Sequence, residues 1–334
     1  MSSVKTEAEL IARIRARIPS RSSAARAAGL RIGIGDDAAV LRPPRGREWV
    51  LSCDAFLENV HFLAPAHPPQ AIGYKALARA TSDLAAMGAV PRLFLLSLAL
   101  PSNRTGEWLD DFLAGMARAA RQFGQVLAGG DTAQNATVVV NITVLGEVAP
   151  GGAVTRSGAR PGDLLYVTGR LGAAQLGLEL VLRGMYRERR WRALLEPHLY
   201  PELRLSLGQW LARTRLASAM IDTSDGLSTD LRHLGEASGV GARVWVDRIP
   251  AAPVPPALRV HGFDPLELAL HGGEDYQLLF TAARRHRQAI PRQHRGVAIT
   301  PIGEITKART IFLVSAKGRA TPMAARGWEH FRSR

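Results

Sequence analysis

The stretch GIGDDAAVL, residues 33–41, decides how this chain is read. Its first six letters satisfy G-x-G-x-x-A, a fingerprint in which glycines bring backbone N–H groups against a pyrophosphate at a helix N-terminus. Asp36 and Asp37 stand where that anion would dock, and like charges repel unless a cation lies between them. A short acidic loop held by glycines suits a metal ion better than a bare dinucleotide. The question is then whether other acids gather in the same way.

They do. Asp54 lies in SCDA, Asp83 in TSDLAAMG, Asp131 in AGGDT, Asp222 and Asp225 in IDTSDG, and Glu274 and Asp275 in HGGEDY. With GIGDD, nine of the 29 acids fall in six short signatures at strand ends or in glycine turns. Glycine lets the backbone approach a ligand or take φ > 0, and strands fix the geometry, so such places favour catalytic loops over solvated surface. Oxygen ligands without paired histidines or cysteines indicate Mg²⁺ before Zn²⁺, and several of them indicate more than one ion. Magnesium commonly bridges protein carboxylates to substrate phosphates, which points to nucleotide chemistry. Neither G-x-x-x-x-G-K-[ST] nor the protein-kinase set of strand lysine, H-R-D and D-F-G is present, so metal ions take the place of a lysine cradle.

Each signature also has a purely structural reading. Asp83 can pair with Arg79 one helical turn earlier, Asp225 can cap the following helix, and the glycine pairs can be turns. His61 in ENVHF can be a packed histidine, and Cys53 a small apolar residue without a histidine to activate it. The functional case rests on the ensemble.

Composition sets the bounds. At 334 residues the chain accommodates two domains better than one. No run approaches a membrane span, and MSSVKTEAEL lacks the apolar core of a signal peptide, so a cytoplasmic protein is expected. One cysteine excludes an intramolecular disulfide and a multi-cysteine zinc site. The net charge of +14 raises a nucleic-acid-binding alternative, yet only four of 43 basic residues are lysines and the arginines are scattered without aromatic interleaving. Specific nucleic-acid binding is therefore not expected.

Helical spacing is read at 5–17, 69–89 and 105–124, the last with Leu109, Leu113, Met116 and Ala120 on one face. Strands are read at 38–41, 49–55, 92–100, QVLAGGD and 137–148. The glycine- and proline-rich span 149–163 marks a boundary, giving domains of residues 1–150 and 151–334. Beyond it, DLLYVTG, ASAMID, GARVWVD, YQLLFTA and ARTIFLVSA read as strands, and LGAAQLGLELVLRG and LSTDLRHLGEASG as helices. The class is α/β or α+β.

Taken in order, GIGDDAAVL, SCDAFLENVHF, YKALARATSDLAAMGA, GGDT, TRSGARPGD, IDTSDGL, GGEDYQLLF and GWEHF resemble the thiamine-monophosphate kinases of the aminoimidazole ribonucleotide synthetase superfamily. The resemblance spans nearly the whole chain; VHF, TRSGA, SDGLSTDL, GGEDY and the terminal GW-HF favour the thiamine-phosphate branch. It implies that ATP and thiamine monophosphate give ADP and thiamine diphosphate; direct in-line transfer assisted by the metal ions is the mechanism expected. It also implies a homodimer in which the N-terminal sheet joins its partner's. By position, Asp37, Ser52, Cys53, Asp54, Asp83, Asp131, Asp222 and Asp225 match the family's magnesium positions, and Asp37, Asp54, Asp83, Asp131 and Asp225 carry the catalysis. Gly130, Asp131, Arg156 and Ser224 match its ATP contacts, and His61, Glu274 and Trp328 its contacts to the thiamine substrate. The family commonly has Thr at the place of Cys53, so a hydroxyl ligand is lost unless the backbone carbonyl is what matters there. The alternatives are another ATP-using member of the superfamily, selenophosphate synthetase-like or amide-activating.

Overall fold

The structure is a computed structural model, described for residues 7–18, 28–32, 40–41 and 46–329. The chain divides into two compact units, one of residues 1–84 and 89–151, the other of residues 85–88 and 152–334. Among the described residues no helix is long and apolar enough to cross a membrane.

The first unit holds α1 (Glu7–Arg17), a small ribbon of β1 (Leu30–Ile32) and β2 (Val40–Leu41), and a four-stranded sheet. That sheet comprises β3 (Glu48–Leu57), β4 (Val90–Leu100), β5 (Val126–Gln134) and β6 (Val139–Val148) in the order β3-β6-β4-β5, with β4 and β5 parallel. The apolar runs at 92–100 and 137–148 thus become its two central strands. Helices α2 (Pro69–Ala86) and α3 (Glu107–Phe123) cross at close range because glycine stands at each contact. A Cβ on Gly73 would meet the Phe112 carbonyl oxygen at 1.9 Å, and one on Gly115 would meet that of Gln70 at 1.9 Å. The apolar stripe of α3 is buried as its spacing requires, and Gly124, left-handed at φ 71°, ends the helix.

The second unit is built on β7 (Leu164–Thr168), β8 (Ala219–Asp222), β9 (Gly241–Trp245), β10 (Leu278–Ala282), β11 (Gln293–His294), β12 (Val297–Thr306), β13 (Ile311–Val314) and β14 (Ala320–Pro322). They run in the order β14-β13-β9-β12-β7-β10-β8, with β11 on β12, antiparallel except for β9 beside β13. The helices are α4 (Ala173–Leu182), α5 (Arg192–Leu199), α6 (Leu205–Thr214), α7 (Leu227–Ser238) and α8 (Pro265–His271), besides a single turn at Pro256–Arg259. Strands β7, β8 and β10 are buried on both faces. Leu165, Val167 and Ile221 pack with Leu227, Leu231 and Leu270 on one side, while Tyr166, Met220 and Phe280 pack with Leu207 and Leu211 on the other. Because the sheet is mostly antiparallel, α+β describes this unit better than α/β.

Candidate active site

In the first unit, β3 pairs with β6 residue for residue: Ser52 opposite Val144, Cys53 opposite Thr143, Asp54 opposite Ile142. Side chains alternate across a strand, so Ser52 and Asp54 share one face and Cys53 points to the other. On the first face Asp54 stands in line with the buried Ile142 and Leu96. There the Ser52 hydroxyl donates to the Asp83 carboxylate of α2, joining two of the sequence signatures. On the opposite face the Cys53 thiol donates to Asn141 Oδ1 at 3.0 Å and accepts from the Thr143 hydroxyl at 3.4 Å. Asp131 also lies on that face, opposite Ser97, which in turn is opposite Asn141. Within this unit, then, the geometry gathers Ser52, Asp54 and Asp83, and separates from them the side chains of Cys53 and Asp131. Any role for Cys53 beside Ser52 and Asp54 on the first face would fall to its backbone.

Gly130 is placed by packing: a Cβ there would meet the Leu96 carbonyl oxygen at 1.8 Å. His61 sits in the turn after β3, where its Nδ1 accepts the Leu57 N–H at 3.0 Å and its ring stacks on Phe56 at 5.8 Å. The acidic loop with Asp36 and Asp37 lies outside the described residues.

In the second unit, β10 lies antiparallel to β8, with Leu278 opposite Asp222. The same pairing continues beyond the strands and brings TSD against GED. Thr223 N–H donates to the Gln277 carbonyl at 2.8 Å, Tyr276 N–H to that of Thr223 at 3.0 Å, and Glu274 N–H to that of Ser224 at 2.8 Å. Glu274 and Tyr276 take φ of 68° and 48°, left-handed values that non-glycine residues rarely adopt and that these bonds hold in place. Gly273 permits the approach, since a Cβ there would meet the Ser224 carbonyl oxygen at 2.4 Å. Asp275, between the two strained residues, is buried and accepts N–H groups from Gly172 and, at 2.9 Å, Ala174 at the start of α4. Burial pushes its carboxyl up to about 7.

The turn after β8 leads into α7, and Asp225, Asp230 and His233 bring one ligand atom each within 4.8 Å of the others. Asp230 is buried and accepts the N–H groups of Gly226 at 2.9 Å and Asp225 at 3.2 Å. Burial, with Asp222 and Asp225 adding like charge, drives its carboxyl well above the usual range. Converging carboxylates under that strain, with mainly oxygen donors, fit a hard divalent cation such as Mg²⁺. The Thr155 carbonyl accepts the Met220 N–H at 2.9 Å, which places Arg156 along the outer edge of β8. Desolvation lowers the pKa of His233, and the positive charges of Arg232 and Arg156 lower it further against Asp225. Glu274 Oε2 lies 3.3 Å from Nδ1 of the fully buried His198. The Trp328 N–H donates to the Asp225 carbonyl at 3.0 Å, while 38% of the residue remains exposed.

The second unit thus brings Asp222, Ser224, Asp225, Glu274 and Trp328 to one end of the β8–β10 pair, whereas Arg156, whose carbonyl accepts the Ser238 hydroxyl at 3.0 Å, lies beside the start of β8 and the end of α7. Sequence reading missed Asp230, His233 and His198. The first two stand three residues apart on one face of α7, a spacing that a helix beginning at 227 makes readable; His198 in EPHLYP carries no comparable signal.

The AIR synthase related protein N-terminal domain model matches residues 35–148, and its C-terminal domain model residues 160–315. The thiamine-monophosphate kinase of Bacillus subtilis is 33% identical over 308 residues, covering 90% of this chain and 94% of its own. That of Escherichia coli K12 is 36% identical over 304 residues, covering 90% and 92%. Among solved structures, the thiamine-monophosphate kinase of Stenotrophomonas maltophilia K279a matches with a TM-score of 0.78 at 35% identity over 93% of this chain and 96% of its own. A structure described as AaThiL complexed with AMPPCP and TMP matches with a TM-score of 0.75 at 30% identity, over 99% and 100%. With both domains matched and such relatives aligned almost end to end, this chain belongs to the thiamine-monophosphate kinase family.

Proposed function

We propose that this protein transfers the γ-phosphoryl group of ATP to the phosphate of thiamine monophosphate, giving ADP and thiamine diphosphate. Its relatives bear the kinase name, and the neighbour complexed with AMPPCP and TMP holds an ATP analogue beside what we take to be the acceptor. The single observation that carries the reading here is the antiparallel register that sets Ser224 and Asp225 against Glu274, with Trp328 bonded to the same turn. A phosphate-binding turn and a surface for a flat cationic ring then lie side by side.

In this reading a phosphate oxygen of thiamine monophosphate attacks the γ-phosphorus of ATP in line, and the bond to the β–γ bridging oxygen breaks as ADP leaves. The nucleophile is already ionised at neutral pH, so no strong general base is required, and no protein nucleophile takes part. Asp54 and Asp83 with Ser52 in the first unit, and Asp222 and Asp225 in the second, would hold magnesium; Asp37, Asp131 and the Cys53 backbone complete the proposed set. Those ions, when bound, neutralise two mutually repelling anions and align their oxygens. Arg156, Ser224 and Gly130 orient the nucleotide. Trp328 offers an indole face to the thiazolium or pyrimidine, and His61 and Glu274 supply polar contacts to the substrate.

We also infer a homodimer. Leu51, Cys53 and Ala55 leave the β3 side of one face of the β3-β6-β4-β5 sheet open, with Leu51 61% exposed, and such a patch gains by being covered.

The decisive experiment is incubation of the purified protein with ATP, Mg²⁺ and thiamine monophosphate, read by product mass. Thiamine diphosphate formed in step with ADP supports the reading; ATP turnover without it refutes the substrate. With γ-labelled ATP alone the protein should stay unlabelled.

A further inference from the structure

The segment Arg326–Trp328 is bound to the start of α7 by three consecutive backbone donors. Arg326 N–H reaches the Ser228 hydroxyl at 3.4 Å, Gly327 N–H the Thr229 hydroxyl at 3.1 Å, and Trp328 N–H the Asp225 carbonyl at 3.0 Å. Segments outside regular structure are usually held by side chains or water; this one ends on a helix N-terminus it must fit closely. The fit admits no side chain at its centre, since a Cβ on Gly327 would meet the Asp225 carbonyl oxygen at 2.1 Å and Thr229 Oγ1 at 2.6 Å. Thr229 is buried. Its γ-hydroxyl is therefore the buried acceptor at the middle of the three bonds.

We propose that Thr229 and Gly327 form a clasp that positions Trp328 for the thiamine ring of the substrate, Thr229 acting as a positioning residue that need not touch the substrate itself. This rests on the proposed contact of Trp328 with thiamine. An indole held at 38% exposure by its own backbone is pre-organised, so the ring does not bear the ordering of the segment when it binds. Loss of the middle bond leaves the segment attached at either side but free to sway, and the loss falls on the affinity for thiamine monophosphate alone.

The test uses Thr229→Val, which keeps the shape and removes the hydroxyl, and Thr229→Ser, which keeps the hydroxyl. Thr229→Val should raise the KM for thiamine monophosphate about fivefold while the KM for ATP and kcat move less than about twofold, and Thr229→Ser should restore the wild-type value. Trp328→Ala should raise the same KM about tenfold, and adding Thr229→Val to it should add nothing. Amide hydrogen exchange at Gly327 and Trp328, measured without substrate, should quicken in Thr229→Val and not in Thr229→Ser. Unchanged exchange overturns the clasp whatever the kinetics. Quickened exchange with an unmoved KM in Trp328→Ala keeps the clasp and overturns the thiamine reading of Trp328. Should Thr229→Val fold poorly, Thr229→Ala, which also removes the hydroxyl, should show the same split between the two substrates, and an equal rise in both KM values overturns the proposal.

Discussion

In the first unit Asp54 and Asp83 are half-buried at an edge strand and the helix above it, with a serine hydroxyl beside them; in the second, Asp222, Asp230 and Asp275 are almost wholly removed from water. A half-exposed carboxylate stays where water and a ligand can reach it. A dry one must be tied down, and backbone N–H groups do this for Asp230 and Asp275. The first arrangement separates stability from chemistry, whereas the second makes the same groups answer for both.

The largest effect should come where the comparison is sharpest. Asp54→Asn and Asp225→Asn should each lower kcat roughly a thousandfold or more, by removing charge from the proposed magnesium ligands. Melting temperatures should show that Asp54→Asn leaves the fold alone, within about 0.5 kcal/mol as for surface changes. A large loss of stability there would erase the contrast.

Next comes a pH dependence that belongs to the second unit. The Asp275 carboxyl titrates at about 7 when folded and at about 3.9 in an unfolded chain. Between those values the native protein holds the extra proton, so its unfolding free energy falls as pH rises through this window and levels off above it. The difference amounts to at most about 4 kcal/mol. Urea unfolding at pH 5 and pH 8 should show the wild type losing stability at the higher pH and Asp275→Asn losing much less. Equal slopes in the two proteins would place the cause elsewhere.

The smaller effects lie within a single strand. Ser52→Ala, which removes the hydroxyl that donates to Asp83, should cost roughly tenfold in kcat. Cys53→Thr, one residue on and facing the other way, should change kcat less than about twofold. A large gain from threonine would mean that the side chain at 53, not its backbone, serves the site.

Much of the architecture is legible in the amino-acid order alone. The amphipathic stripe of α3 and the strand at 92–100 follow from periodicity, because burial on one face or two leaves its mark on every turn. The acid signatures are legible because glycine beside a strand end is rare without a reason. Register is not: no letter in SCDA tells which of Ser52, Cys53 and Asp54 share a face with Asp83, since that depends on the partner strand about 90 residues on. Nor is the pairing of IDTSD with GGEDY, made by two strands some 55 residues apart. His198 escapes because a buried histidine is specified by what surrounds it, not by its neighbours in the chain.

Strand β7 has a consequence for the making of this protein. All five of its residues are buried, and its two partners are β10 and β12. Val167 meets Leu279, about 110 residues later, and Leu164 meets Glu304. At about 5–20 residues per second of synthesis, β7 waits roughly ten seconds for either partner to be made. During that time LLYVT is an apolar ribbon with both edges open, the kind of segment that pairs with whatever is nearest. Its safe passage on the ribosome depends on being shielded until the far half of the sheet arrives, and yield of the folded protein should be governed by how fast residues 170–305 are translated.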